Sequence, residues 1–444
     1  MRLNHWIVTG ALLLASLTPV SAAEYTLEMY LSKVESDNLD LAIARRDLSL
    51  AEQSVIQARS ALLPSVGLQG SYTRNLLDIE KSTAVAASTD GSGGTYPFIY
   101  KDTDSNFDNE VVMGIGVKQK IFDAAAIAAL SQAKKGREVR AEAFETTRRS
   151  VRCAAKKLYA QAQLTLAVLE VMDTSEKAAA ANFRSVSMKA QAGVATELDA
   201  LLSEVDWRQK IPAIEEARKN NELVLIAMKN LAGIPLTESL ELSRDTDEVP
   251  SMPAEVELSA VLSSRPDYRI SLLSRELSDI AKKAAFASFL PTLSGSYSWG
   301  HVSYSGFTND ATYKTDSSSL SLAVTLPLFT GFYRTSLVKS ARFAQEKSAI
   351  DLQKKADSIE QELLGIRLRL SEANTRIESA RFLEAATKRA TALAKSSYDN
   401  GLGTQLQVTD ASSKYDQSRL ALRNAIYTYR AACYDWDYAI GKTD

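Results

Sequence analysis

Histidine and cysteine are scarce in this chain of 444 residues, which contains two of each. His5 falls in an N-terminal apolar segment, so His301 is the only histidine in the rest of the sequence. Cys153 and Cys433 lie on predicted helix faces, and nothing in the sequence places them within disulfide-bonding distance. We therefore predict two free thiols rather than a disulfide. Catalysis by histidine and a Cys/His metal site are both disfavoured.

An excess of positive charge is also missing. The formal net charge is −2, so the composition gives no argument for nucleic-acid binding. No glycine-rich phosphate loop or nucleophile elbow occurs, which argues against an enzyme and against a bound cofactor. With 45% hydrophobic and 24% charged residues, the chain has the composition of a folded protein.

Long hydrophobic runs are confined to the N-terminus. Arg2, the apolar run at residues 7–20 and the small residues at 21–23 predict a signal peptide covering residues 1–23. The alternative is a retained membrane anchor, for which the run is short. After residue 24 no stretch of 18 consecutive apolar residues occurs, so we predict no transmembrane helix in the mature chain.

Proline is absent from residues 336–398, where Gly365 is the single glycine. Such a stretch predicts one helix on the order of 90 Å long. Its apolar residues alternate spacings of four and three, which is the heptad pattern of a helix packed along another helix. They are Ile359, Leu363, Ile366, Leu370, Ala373, Ile377 and Ala380. A second such pattern follows the turn at Gly401.

The sequence contains an internal duplication. Four segments recur in the same order, at offsets of 227, 207, 208 and 208 residues. They are residues 61–66 and 288–293, 116–122 and 323–329, 193–198 and 401–406, and 231–233 and 439–441. We therefore predict a first repeat at residues 24–233 and a second at 257–444. Residues 234–256 contain three prolines and are predicted to form an irregular equatorial linker.

Each repeat has the same predicted plan. A helix (residues 27–62 or 258–290) ends at a proline and is followed by a strand, a polar loop (75–109 or 304–317) and a returning strand. A long helix, a glycine turn and a second helix complete the repeat, with the first long helix at residues 124–191. The returning strand of the second repeat, residues 319–328, has the clearest alternation in the chain.

The four half-apolar strands allow two interpretations. One is a soluble sandwich with its apolar face on a core, although no other segment could supply a second layer. The other is a transmembrane β-barrel with an outward apolar face, which aromatic residues near the strand ends also favour. These aromatic residues are Tyr72, Phe122, Tyr297, Trp299 and Phe329. Four strands cannot close a barrel, so such a barrel would be shared between chains.

The signal peptide, the duplicated helix–hairpin–helix plan, the Leu-Pro strand entries and the Gly-x-x-Thr-x-Leu turns together resemble the TolC family of outer-membrane efflux ducts. The resemblance covers essentially all of residues 24–444. It implies an α+β membrane protein that forms a homotrimer. Three chains, with four strands each, would build one twelve-stranded transmembrane β-barrel, continued by a long periplasmic α-helical barrel.

The resemblance also implies a location and partners. The protein would lie in the outer membrane of a Gram-negative bacterium, contact outer-membrane lipid and extend into the periplasm. It would serve as the passive exit duct of a tripartite efflux or type I secretion system. Its partners would be a periplasmic adaptor (membrane fusion) protein and an inner-membrane pump of the RND, MFS or ABC type. The alternative function is a non-porin periplasmic coiled-coil scaffold or adaptor protein.

Carboxylates near the helical turns are candidates for a pore constriction, because a ring of carboxylates selects cations. By resemblance, Tyr398 corresponds to a tyrosine that helps to lock the family's aperture and Asp199 to its acidic partner. Asp410 corresponds to the inner of two constriction aspartates. Each of these residues could instead be a solvated helix-end charge or a turn residue.

Two positions depart from the family pattern. Gln407 stands where the outer constriction aspartate is expected, and Gly403 stands where an arginine of the lock is expected. We therefore predict one carboxylate ring and a weaker or differently held closure.

The turns themselves are predicted to dock an adaptor protein. Small or apolar residues exposed at a helix–turn–helix end suit a coiled-coil partner. The candidates are Gly193, Val194, Gly401, Leu402 and Thr404. Simple packing within each turn is the alternative.

Overall fold

The computed structural model describes residues 24–76, 82–85, 99–102, 107–243, 248–306 and 312–442. The predicted signal peptide therefore lies outside the described residues. The described residues are mostly helical and include one four-stranded sheet. The helices are α1 (Leu27–Asp37), α2 (Leu39–Ser60), α3 (Ala124–Gln191), α4 (Glu197–Leu231), α5 (Leu258–Ser264), α6 (Pro266–Ala287), α7 (Tyr333–Asp399) and α8 (Gln405–Ala439). The strands are β1 (Glu24–Tyr25), β2 (Ser65–Arg74), β3 (Ser82–Val85), β4 (Ile99–Asp102), β5 (Asn109–Phe122), β6 (Glu241–Leu242), β7 (Thr292–Ser305) and β8 (Tyr313–Thr325).

The chain divides into two compact units, and each unit draws on both halves of the sequence. We call them the helical unit (residues 1–45, 144–266 and 356–444) and the sheet unit (residues 46–143 and 267–355). None of the helices that the structure describes is both long and apolar enough to cross a membrane.

The four-stranded sheet of the sheet unit is antiparallel, in the order β2-β5-β7-β8. The register brings the apolar members of each alternating strand onto one face. Val66 pairs with Val117, which pairs with Tyr297, and Tyr297 pairs with Leu320. The opposite face carries mainly serine and glycine, as in the row of Gly67, Gly116, Ser298 and Ser319. The predicted alternation is therefore confirmed, and the two hairpins join in a single sheet.

The apolar face of this sheet is exposed in the single chain. Leu68 on β2 is 77% exposed and Leu320 on β8 is 78% exposed. Met113 on β5 and Trp299 on β7 are also exposed. Within the described residues, β2 and β8 are each paired on one side only, so both edges of the sheet present unpaired backbone groups.

The helical unit has two apolar cores, and the predicted helix-packing pattern of α7 lies in one of them. Ile366, Leu370 and Ile377 of α7 are at most 2% exposed and pack with residues of α8. The second core joins α1, α3 and α4 around Tyr30, Ala155 and Met228. Cys153 is half-buried, Cys433 is buried, and both are free thiols as predicted.

The opening helix of each repeat was predicted to be continuous, and this prediction is wrong in both repeats. The first is interrupted at Asn38, whose side chain accepts a hydrogen bond from the Leu41 backbone and donates one to the Leu231 carbonyl. The second is interrupted at Arg265, because Pro266 disfavours the helical conformation of the residue before it. The buried Arg265 side chain then donates to the Ala439 carbonyl.

The boundaries of the second hairpin also differ from the prediction. β7 continues to Ser305 and β8 already begins at Tyr313, so the predicted loop at residues 304–317 is shorter. The ends of both strands contain polar residues, which also occur in loops, so the sequence did not mark them as strand. One such pair is His301 and Asp316, which are opposite each other and hydrogen-bonded across the hairpin. β8 ends at Thr325 rather than 328, because Pro327 has no N–H for the ladder. The longer loop of the first repeat contains the paired strands β3 and β4, and its remainder lies largely outside the described residues.

Candidate functional site

Both glycine turns at the ends of the long helices have the same backbone geometry. Gly193 and Gly401 each have a φ of +74°, a region that favours glycine. The following amides, of Val194 and Leu402, donate to carbonyls of the preceding helix at 2.8 Å. The predicted equivalence of the two turns is therefore visible in the hydrogen bonds that end α3 and α7.

The helices that follow these turns begin with a capping box. Thr196 and Asp199 exchange side-chain and backbone hydrogen bonds at the start of α4, and Thr404 and Gln407 do so at the start of α8. The side chains of Asp199 and Gln407 thus turn back toward the helix N-termini. This role was not predicted, although the pattern Thr-x-x-Asp/Gln after a turn is a recognised signal for it.

The space around Gly403 explains why a long side chain is disfavoured there. A Cβ atom at this position would lie 3.1 Å from Oε1 of Gln407, 3.2 Å from Cβ of Ser397 and 3.2 Å from the Tyr398 nitrogen. The neighbouring groups would have to move apart to accept the arginine expected from the family pattern. The capping box of α8 and the glycine at 403 therefore belong to one local arrangement.

The two turns are linked through the last residues of α3 and α7. Nζ of Lys189 lies 2.9 Å from Oδ1 of Asp399 and 5.1 Å from the centre of the Tyr398 ring. Burial raises the pKa of the Tyr398 hydroxyl above 10.0, and the Asp199 carboxylate raises it further. The predicted pairing of Tyr398 with Asp199 stays a prediction, since the Asp199 carboxylate is hydrogen-bonded to Thr196. Lys189 and Asp399 were not predicted from the sequence.

Asp410 lies on α8 and interacts with a residue one turn farther along that helix. Its Oδ2 atom is 2.7 Å from Nζ of Lys414, and both side chains are exposed, at 59% and 63%. An exposed pair of this kind contributes little to stability. The Lys414 ammonium does, however, partly offset the negative charge of the Asp410 carboxylate.

Apolar side chains project from equivalent positions of the two turns. Val194 is 77% exposed and Leu402 is 85% exposed. Leu198 and Leu406, which sequence reasoning did not select, are exposed one helical turn farther along. The two turns thus present two similar apolar pairs, and Thr404 lies between the members of the second pair.

A buried polar cluster connects three helices of the same unit. Nζ of Lys210 on α4 lies 2.8 Å from Oδ2 of Asp416 on α8 and 2.8 Å from Oγ of Ser175 on α3. Ser175 also donates to Asp416. Burial raises the pKa of the nearby Asp206, while Lys210 opposes that rise and Asp416 adds to it.

Within the part of the chain that the structure describes, no three or more His, Cys, Asp and Glu side chains form a group that could hold a metal ion. The chemistry of the turns therefore consists of carboxylates, cations and exposed apolar groups. Nothing in this arrangement resembles a nucleophile with an adjacent base.

A protein-family model described as outer membrane efflux protein matches residues 30–233 and 258–435. The chain belongs to this family. Its match to TolC of Salmonella enteritidis has 23% identity and covers 96% of this chain and 84% of that protein. The prediction of the TolC family is therefore confirmed.

Solved structures of outer-membrane channels have the same fold. The chain matches Campylobacter jejuni CmeC with a TM-score of 0.77 and 19% identity, covering 100% of this chain and 95% of the other. It matches CusC with a TM-score of 0.78 and 15% identity, covering 95% and 93%. At these identities the likeness shows the fold.

Membership of the TolC family establishes the broad role and location. Members of this family are outer-membrane efflux channels rather than enzymes. The protein is accordingly an outer-membrane protein of a Gram-negative bacterium that extends into the periplasm, as predicted.

Proposed function

We propose that this chain is the exit duct of a tripartite efflux or type I secretion system and that it works as a homotrimer. Three copies would join their four-stranded sheets into one twelve-stranded barrel in outer-membrane lipid, continued by an α-helical barrel through the periplasm. The duct is passive, since the energy for export would come from an inner-membrane pump of the RND, MFS or ABC type. A periplasmic adaptor protein would connect the two.

The observation that carries the proposal is the four-stranded sheet, which has an exposed apolar face and, among the described residues, two unpaired edges. In lipid, an open edge leaves backbone N–H and C=O groups without partners, which costs several kcal/mol for each group. Pairing β2 of one chain with β8 of the next removes both edges. The apolar face would then contact lipid, and the serine- and glycine-rich face would line the lumen.

The oligomer and its location can be tested together. Native protein is extracted from separated membranes and run on a denaturing gel with and without heating. We expect it in the outer-membrane fraction, with the mobility of a trimer before heating and of a monomer afterwards. A soluble monomer would instead support the alternative of a non-porin periplasmic scaffold or adaptor.

We further propose that the turns form the gate of the duct. Asp410, with Gln407 one helical turn before it, would ring the constriction, while Tyr398 and Asp199 would hold it closed. Since Lys414 lies beside Asp410, the ring would be partly neutralised and only weakly selective for cations. Gln407 is neutral, so it would add no charge to the ring, and its side-chain oxygen accepts the capping bond from the Thr404 backbone.

Two substitutions with opposite expected effects test the gate. In planar-bilayer recordings, Asp410→Ala should lower cation selectivity and divalent-cation block, whereas Lys414→Ala should raise both. Lys177→Ala removes an exposed lysine of the same helical unit and serves as the matched control. Unchanged selectivity in both Asp410→Ala and Lys414→Ala would exclude Asp410 from the constriction.

The exposed apolar pairs at the turns are our candidate docking surface for the adaptor. It comprises Val194 and Leu402, with Leu198 and Leu406 behind them, held in place by Gly193, Gly401 and Thr404. Val194→Asp with Leu402→Asp should abolish co-purification of the adaptor without reducing the amount of trimer. Normal co-purification would place the docking surface elsewhere.

The duplicated geometry supports the proposed division of the chain. The two capping boxes and the two glycine turns recur at the offset seen in the sequence. We propose a signal peptide at residues 1–23, repeats at 24–233 and 257–444, and the linker at 234–256. In that linker the described residues are irregular apart from β6, which pairs with β1.

A further inference from the structure

A basic cavity lies between α3 and the C-terminal end of α8, within the helical unit and apart from the turns. Its volume is about 70 Å³, several times the roughly 10–15 Å³ that one water molecule needs. Glu145 and Asp437 are the two carboxylates in its wall. Five cationic side chains line the same wall: Arg148, Arg149, Arg152, Lys156 and Lys442.

Among the described residues, the positive charge of the cavity is only partly compensated. A terminal nitrogen of Arg148 lies 3.5 Å from Oε2 of Glu145, and Nζ of Lys442 lies 3.9 Å from Oδ1 of Asp437. Arg149 donates to two backbone carbonyls, those of Ser264 and Gly441, at 3.0 Å each. Arg152 donates through one terminal nitrogen to Glu35 at 3.2 Å, while its Nε atom is buried without a hydrogen-bond partner among the described residues.

Lys156 shows the effect of the excess charge most clearly. Its ammonium lies 5.9 Å from the centre of the Tyr434 ring. Burial lowers the pKa of Lys156, and the neighbouring cation Arg152 lowers it further. Asp437 opposes this fall more than Lys442 adds to it, and Cys153 also opposes it. An anion in the cavity would stabilise the charged form of this lysine.

We propose that this cavity binds a phosphate group. The room for several water-sized groups and the excess of cationic side chains in the wall, with the Lys156 ammonium among them, are features that suit a phosphate. The group could belong to free phosphate or to a lipid headgroup, since both present the same oxygens. The proposal is independent of the gate and the docking surface, whose residues lie elsewhere in the chain.

Calorimetric titration of the purified full-length trimer in detergent tests the proposal. Inorganic phosphate and a short-chain phosphatidic acid are titrated separately at constant ionic strength, with chloride as the reference anion. We expect saturable binding that Lys156→Gln weakens about tenfold or more, because a charge-assisted hydrogen bond is lost. Lys395→Gln removes one exposed lysine from α7 of the same unit and should leave the affinity unchanged.

Binding of both ligands would support a general phosphate site, and binding of phosphatidic acid alone would support the same site for a lipid headgroup. Equal affinity in Lys156→Gln, binding no stronger than that of chloride, or binding of an acidic peptide but neither phosphate ligand would overturn the proposal.

A thiol measurement keeps the test independent of the charge substitution. Cys153 lines the cavity, so a Cys433→Ser protein has one reporter there. The ligand that binds should slow N-ethylmaleimide labelling of Cys153 at saturation. Labelling that is unaffected by a ligand proven to bind would place the bound phosphate outside this cavity and overturn the assignment.

Discussion

Replacing Lys210 with methionine should destabilise the helical unit strongly. The side chains of Lys210 and Asp416 are only 16% and 15% exposed, and their charged atoms are 2.8 Å apart. Methionine keeps most of the lysine stem but leaves the Asp416 carboxylate with Ser175 and no cation. Burial already disfavours the ionised form of Asp206, and the substitution also removes the positive charge of Lys210 that stabilises this form.

The size of the stability loss depends on whether Asp416 stays ionised without a partner or takes up a proton. Leaving one partner of a buried pair uncompensated costs about 3–5 kcal/mol. Neutralising an ordinary carboxylate at pH 7 costs about 4 kcal/mol, which sets a ceiling on the loss. A loss of about 3–4 kcal/mol corresponds to a fall in the thermal midpoint on the order of 10 °C.

Circular dichroism of the detergent-solubilised protein measures this midpoint. The matched control is Lys177→Met, because Lys177 forms an ion pair with Asp173 at 2.6 Å but is 70% exposed, so little change is expected. Lys210→Met with Asp416→Leu removes both charges and should recover much of the loss. A midpoint for Lys210→Met equal to that of the control would refute the reasoning.

Three further predictions follow from single sites. Folding raises the pKa of Asp206, so the ionised carboxylate destabilises the folded state at pH 7, and this destabilisation disappears as the pH falls toward 3.8. Asp206→Asn should therefore raise the thermal midpoint at pH 7 and give no such increase near pH 4. Gly441→Ala should lower the midpoint more than Gly401→Ala: both residues have positive φ, but a Cβ at 441 would lie 2.5 Å from a serine hydroxyl and one at 401 meets nothing within 4 Å. Burial raises the pKa of Cys153 and Cys433 to about 11, so both thiols should react slowly with a disulfide reagent at pH 8 and quickly after unfolding.

The helix packing and the strand faces could be predicted because each depends on a repeated pattern. Burial of Ile366 and Ile377 follows from heptad spacing, and the shared face of Leu68 and Trp299 follows from alternation in strands. The internal duplication strengthened these predictions, because the second repeat shows the same order of helices and strands as the first. Heptad spacing and strand alternation can be recognised in a single sequence because each pattern involves many residues.

The missed features depend on single residues and on contacts distant in sequence. Asn38 interrupts a helix through a bond to Leu231, a partner that local patterns do not reveal. The Lys189–Asp399 link joins residues 210 positions apart. The capping role of Gln407 differs from these, because the local pattern Thr-x-x-Gln after a turn is enough to predict it.

The sheets of separate chains are proposed to join at their open edges, and the whole barrel depends on this joint. Cysteine pairs placed on β2 and β8 in a Cys153→Ser, Cys433→Ser background test this claim. Within one chain these edges are separated by two strands, or roughly 14 Å, which is too far for a disulfide. Suitable polar-face positions are Ser65, Gln69 and Ser71 on β2, combined in turn with Ser317, Ser319 and Ser321 on β8.

Mild oxidation in intact membranes, followed by a non-reducing denaturing gel, is the decisive measurement. We predict that at least one register gives covalent dimers and trimers, nothing larger, and monomers again on reduction. Folded protein in the outer membrane that remains monomeric on the gel in every register would contradict the shared barrel.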